Sequence, residues 1–219
     1  MHKRNRPLCF LGNLEQETLM TLVRLATLLV GMLVLAGCAS SSASRQHYTL
    51  ATGDIRTAED TAAAGIGSDF AYTLVLEPIQ LANYLNHEGI ALQLDDITMT
   101  RANDHLWAER LDRQLRHNLK LDLERHLPDT RVITTGSTLD KDAMTLSVDV
   151  ERFQGRYDGQ AIAAGQWQLK RNNTLLGTAR FETSSELDSD GYPALVRALG
   201  RSWDEFADQL ARQIHTLRR

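Results

Sequence analysis

Cysteine is almost missing from this chain. Only Cys9 and Cys38 stand in 219 residues. Everything after position 38 therefore lacks a thiol for a disulfide, for nucleophilic catalysis or for a thiolate metal site. Seven histidines occur, yet none has metal-ligand spacing. His117 and His126 lie nine apart without a carboxylate aimed the same way as both, and no His-Glu-x-x-His or His-x-His is present. No Gly-x-Ser-x-Gly elbow exists. Gly65-Ile66-Gly67 lacks the third glycine and following helix of a phosphate cradle. Asp188-Ser189-Asp190-Gly191 opens like a calcium loop but lacks the later ligands and the closing glutamate, so it reads as a loop before a helix. Asp95 and Asp96 are adjacent in a turn and point apart, so they are no acid–base pair. No basic stripe and no platform of aromatics with arginine is present, which argues against nucleic acid. No cofactor or metal is expected.

Long hydrophobic runs are missing as well. The longest covers residues 25–35, broken only by Thr27. At about 1.5 Å per residue such a helix reaches only about half of a ~30 Å hydrocarbon core. It is too short for a span and suits the apolar core of a signal peptide, with Arg24 before it and small residues after it. Leu35-Ala36-Gly37-Cys38 resembles the lipobox of bacterial lipoproteins. Small side chains beside the scissile bond let extended backbone enter a membrane peptidase. The Cys38 thiol takes a diacylglyceryl group, and cleavage frees an amine that is acylated in turn. The expected organisation is a signal peptide over 1–37, a lipidated tether over 38–46 and one domain over 47–219. Met20 is an alternative start to Met1. Residues 1–37 carry four basic and two acidic side chains, so their removal leaves 182 residues with a formal net charge of −6. That length suits a single domain with a substantial core.

What is present is alternation and two helical stripes. Residues 47–51 read as a short strand, and 52–69, without periodicity, as a mobile loop. Residues 70–77 read as a strand with Tyr72, Leu74 and Leu76 on one face. Residues 90–94 and 97–101 form a hairpin across Asp95-Asp96. Trp107, Leu111, Leu115, Leu119 and Leu123 recur every fourth residue and predict a helix over 106–127, capped by Asp104 and stopped by Pro128. Its charged face, from Glu109 to Glu124, reads as solvated. Residues 132–135 form a short strand. Met144, Leu146, Val148 and Val150 alternate. Phe153 breaks that parity and predicts a bulge near Glu151-Arg152. Residues 161–170 and 175–183 form a second hairpin through Asn172-Asn173, with Trp167 and Leu169 facing Leu175, Ala179 and Phe181. A last helix runs over 193–217, with Pro193 at its first turn and a stripe from Val196 to Leu217. The fold class is α+β: an antiparallel or mixed sheet with two long helices packed on it.

Four stretches carry a family resemblance: LEPIQLANYLN (76–86), LWAERLDRQLRHNL (106–119), VDVERFQGRYDGQ (148–160) with WQL (167–169), and YPALVRALGRSWDEFADQLARQI (192–214). Their order resembles the PqiC/YmbA family, the auxiliary lipoproteins of MCE-type ABC lipid transport systems. The chain departs from that pattern in the long 52–69 segment and in Asn86-His87-Glu88, where the family more often has an Asp-Arg pair. The resemblance implies a non-enzyme on the outer membrane, facing the periplasm. Ala39 and Ser40 follow Cys38, where an aspartate would favour inner-membrane retention. It also implies a periplasmic MCE-domain partner, and self-association or docking through sheet edges or the Trp-bearing elements. The rival classes are a periplasmic envelope hydrolase, which needs a catalytic constellation, and a stand-alone lipid carrier, which needs an acyl-sized apolar cavity.

Overall fold

The organising element is one long strand. In the computed structural model, which describes residues 44–51, 70–134 and 142–218, β7 spans Met144–Arg156. Along one edge it pairs antiparallel with β8, Gln160–Arg171, which pairs with β9, Thr174–Glu186. Along its other edge lie three short parallel strands in succession: β2 (Tyr72–Leu76), β3 (Gln80–Leu81) and β4 (Gly89–Gln93). β2 also pairs with β6, Thr130–Ile133. β4 pairs antiparallel with β5 (Met99–Trp107), which takes β1 (Gln46–Tyr48) as a parallel edge strand.

The bulge falls where parity breaks. The β7–β8 register shifts between Val150 and Arg152, and Phe153 returns to the core. The extra residue bends β7 and raises its local twist. The β8–β9 turn uses Asn172 and Asn173, both at positive φ (49° and 66°), as a tight hairpin turn requires. Polar residues pair across the outer face: Arg152 with Glu182, Arg180 with Glu151, and Gln166 with Asp149 at 3.1 Å.

Two helices cover the other face. α1 spans Leu111–His126 and α2 spans Tyr192–Leu217. Ala161 and Ala163 of β8 lie beneath α2 and let it approach closely. Ser202 donates to the Ala161 carbonyl at 3.1 Å, and Thr183 donates to the Ser202 carbonyl at 2.7 Å. Trp203 is fully buried and donates its indole N–H to the Leu115 carbonyl at 3.1 Å, joining the helices. Phe153, Phe181 and Phe206 surround it. Side chains fill the space between helices and sheet. Asp122 of α1 is buried, and Asp204 of α2, pushed up to about 6 by burial and then by Asp122, faces it. Among the described residues no helix is long and apolar enough to cross a membrane.

Three expectations need correction. The first helix starts at Leu111, not at 106, because 106 and 107 belong to β5. Trp107 is in phase with the leucine stripe, but β1 and Glu88, just before β4, capture its backbone first. Asp104 is therefore a mid-strand residue, and Arg110 holds the N-cap position without a side-chain cap. The second correction concerns Leu175. A register shift between Leu169 and Lys170 turns it outward, and it is 52% exposed. The third is one of length: β5, β7, β8 and β9 run further than their apolar segments. The loop expected over 52–69, with Gly65-Ile66-Gly67, and Thr135 lie outside the described residues.

Candidate functional site

The chain leaves the edge of β7 once, between β3 and β4, and that excursion builds a cleft. A single 3-10 turn, Asn83–Leu85, is followed by Asn86-His87-Glu88. Across from it stands the segment joining β5 to α1. Together they enclose about 510 Å³. The floor is apolar: Leu81, Leu85, Trp107 and Leu111. The rim is polar and charged: Asn86, His87, Glu88, Glu109, Arg110 and Asp112.

The walls are fixed by backbone. Trp107 N–H donates to the Glu88 carbonyl at 2.7 Å, and Ala108 N–H to the Tyr48 carbonyl at 2.8 Å. Buried Gln114 holds the third side. Its amide nitrogen donates to the Glu109 carbonyl at 2.8 Å, and its amide oxygen accepts from Leu50 N–H at 2.9 Å. Tyr84 anchors the turn below, its single hydroxyl proton shared between the Gln154 Oε1 at 2.5 Å and the Glu151 carbonyl at 3.0 Å. Burial pushes that hydroxyl up to about 12, so it stays a donor. Trp107 is 5% exposed and lies 6.2 Å from Phe153, ring centre to ring centre. The floor thus continues into the core.

The electrostatics are self-satisfied. Arg110 holds Asp112 at 3.0 Å, which raises the guanidinium further. Arg113 and Glu109 lie 3.9 Å apart. Such exposed pairs are screened by water and add little to stability. The rim offers hydrogen bonds and charges of both signs around an apolar floor. Among the described residues no three His, Cys, Asp or Glu are grouped to hold a metal ion.

The other tryptophans fall elsewhere. Trp167 lines a more open groove of about 610 Å³ between β9 and α2, with Gly177, Ala179, Gln209 and Arg212. Trp203 is entirely internal. Leu35, Ala36, Gly37 and Cys38 lie outside the described residues. The cleft itself was missed from sequence. Its signal was there, since two of the four resembling stretches, 76–86 and 106–119, supply most of its lining.

Comparison with known proteins shows the family. Residues 48–211 match the family of the ABC-type transport auxiliary lipoprotein component. The chain belongs to this family. It is 33% identical over 190 residues to the intermembrane transport lipoprotein PqiC of Escherichia coli (strain K12), covering 86% of this chain and 96% of that one. The PqiC of Shigella flexneri matches at the same identity and coverage. A crystal structure of an uncharacterized protein superposes with a TM-score of 0.67 at 29% identity, over 78% of this chain and 99% of the other. The α+β family fold, with its mixed sheet and two helices, is the one seen here. As a family member the chain is a lipoprotein component of transport between membranes.

Proposed function

We propose that the chain is a non-catalytic, outer-membrane-anchored subunit of an MCE-type ABC lipid transport system, facing the periplasm. In this reading residues 1–37 are a cleaved signal, Cys38 carries the lipid, 38–46 form the tether and 47–219 the working domain. The cleft receives a segment of the periplasmic MCE-domain partner, and supports envelope integrity by keeping that partner at the membrane. The observation that carries the reading is the cleft's construction. Two stretches that mark the family by sequence meet there, on backbone held from three sides. Family membership supports the transport role. The filled core supports docking over carriage of a lipid inside the domain.

The test is site-specific photocrosslinking in intact cells. A crosslinker at Arg110 or His87 should capture an MCE-domain protein. One at Leu175, on the far turn, should capture none. Failure of both rim positions to capture such a protein overturns the reading.

A further inference from the structure

Four large apolar side chains are exposed at one end of the sheet. Leu94 (54% exposed) and Ile97 (86% exposed) flank the β4–β5 turn, Met99 opens β5, and Tyr157 stands in the β7–β8 turn. Register brings these turns together. Gln93 pairs with Met99 on one side and with Arg156 on the other, so Leu94 and Tyr157 project side by side beyond the last rungs. The turn is firmly shaped. Asp95 accepts from Ile97 N–H at 2.9 Å and Thr98 N–H at 2.7 Å, and Leu94 N–H donates to the Thr98 carbonyl at 2.9 Å. Gln154 ties the base together, reaching Gln93 at 3.1 Å and the Met99 sulfur at 3.6 Å. Ile97 is thus held out into solvent by a built turn.

The first described strand points the same way. β1 is parallel to β5, with Gln46 opposite His105. Traced backwards from Gln46, the chain heads along β5 towards Met99. His105 and Met99 are six residues apart, about 20 Å of strand. Cys38 and Gln46 are eight residues apart, a reach of at most about 26–29 Å. Eight residues of chain are thus long enough to cover the distance to the tip. The opposite turn, Asn172-Asn173, is at the other end of the same sheet.

The geometry points to a second membrane contact: the tip formed by Leu94, Ile97, Met99 and Tyr157 enters the leaflet that holds the Cys38 lipid. This rests on the reading of Cys38 as the anchor. The chemistry suits a lipid surface better than a protein. Four side chains fall short of the roughly 800 Å² per partner of a stable protein interface. An amphipathic aromatic such as Tyr157 suits the headgroup level. With the anchor already in place, a small apolar tip needs only to orient the domain. Asp95 and Asp96 at the same turn make zwitterionic lipid the preferred surface over anionic lipid.

The full-length protein, purified from membranes and reconstituted into phosphatidylcholine vesicles containing nitroxide-labelled lipid, tests this. Ile97→Cys and, separately, Leu175→Cys carry an environment-sensitive fluorophore. Quenching at position 97 is expected to exceed that at 175 by at least threefold, with a blue-shifted emission at 97 alone. Adding Leu94→Ser and Tyr157→Ser should remove most of that difference while far-UV circular dichroism stays native. Equal quenching at both positions overturns the proposal. So does shielding of position 97 that appears only when an MCE-domain protein is added, since the tip would then be a protein contact. The anchor is read separately. If the protein without an introduced cysteine takes up label, Cys38 is free and the anchor reading fails. Quenching confined to position 97 would still uphold the tip.

Discussion

The two ends of the β4–β5 hairpin are built to opposite specifications. At the Gly89–Trp107 end, main-chain hydrogen bonds from β1, Glu88 and the α1 entry hold a polar-rimmed cleft over an apolar floor. At the Leu94–Met99 end, one carboxylate shapes a turn that thrusts apolar side chains into solvent. The same pair of strands spans both. The contrast teaches that a rigid two-stranded spacer can hold two different contacts a fixed distance apart. In the proposed reading one takes a protein segment and the other a lipid surface.

The largest way to break that contrast is Trp107→Ala. It removes a nearly buried ring from the cleft floor and from Phe153, at a cost of roughly 3–5 kcal/mol. Chemical denaturation should register that loss, and rim crosslinking should fail with it. Gly89→Ala comes next. A Cβ there would sit 2.3 Å from the Ala102 carbonyl oxygen, beside the register shift at Ala91. Overpacking of this kind costs about 1–3 kcal/mol. The variant should weaken partner capture while leaving lipid quenching at position 97 intact.

Asp95→Asn acts on the other end and has a smaller effect. Hydrogen bonds from Ile97 N–H and from the hydroxyl and N–H of Thr98 hold the Asp95 carboxyl below the usual carboxylate range. Its contribution is full above the unfolded value near about 4 and fades as pH falls through the lower folded value. The stability gap between wild type and variant should be constant above about pH 5 and close below about pH 4. A gap that widened on acidification would refute the assignment. The smallest effect on folding belongs to Ile97→Ser, within about 0.5 kcal/mol. Its denaturation midpoint should match wild type, whereas a large fall would mean that Ile97 packs inward.

Much of the fold can be read from local pattern. Phe153 out of phase announces the bulge, Asn172-Asn173 announces the turn, and Pro193 with the stripe from Val196 announces α2. The reading fails where two periods overlap. Trp107 satisfies the four-residue step of α1 and also ends β5, and only its bonds to β1 and Glu88 decide between them. The candidate site was legible only as separate stretches, because its walls come from backbone bonds between residues far apart in sequence.

By itself, then, the sequence determined what needs only neighbours along the chain: a short apolar run before Cys38, the lack of any thiol after it, two helical stripes and the hairpin turns. Tertiary structure alone decided that β2, β3 and β4 share one edge of β7, that the chain departs from that edge to open a cleft, and that Leu94 stands beside Tyr157. Each of those depends on strand register. Register between strands far apart in the chain is set by which faces are buried together and by hydrogen bonds between those distant segments.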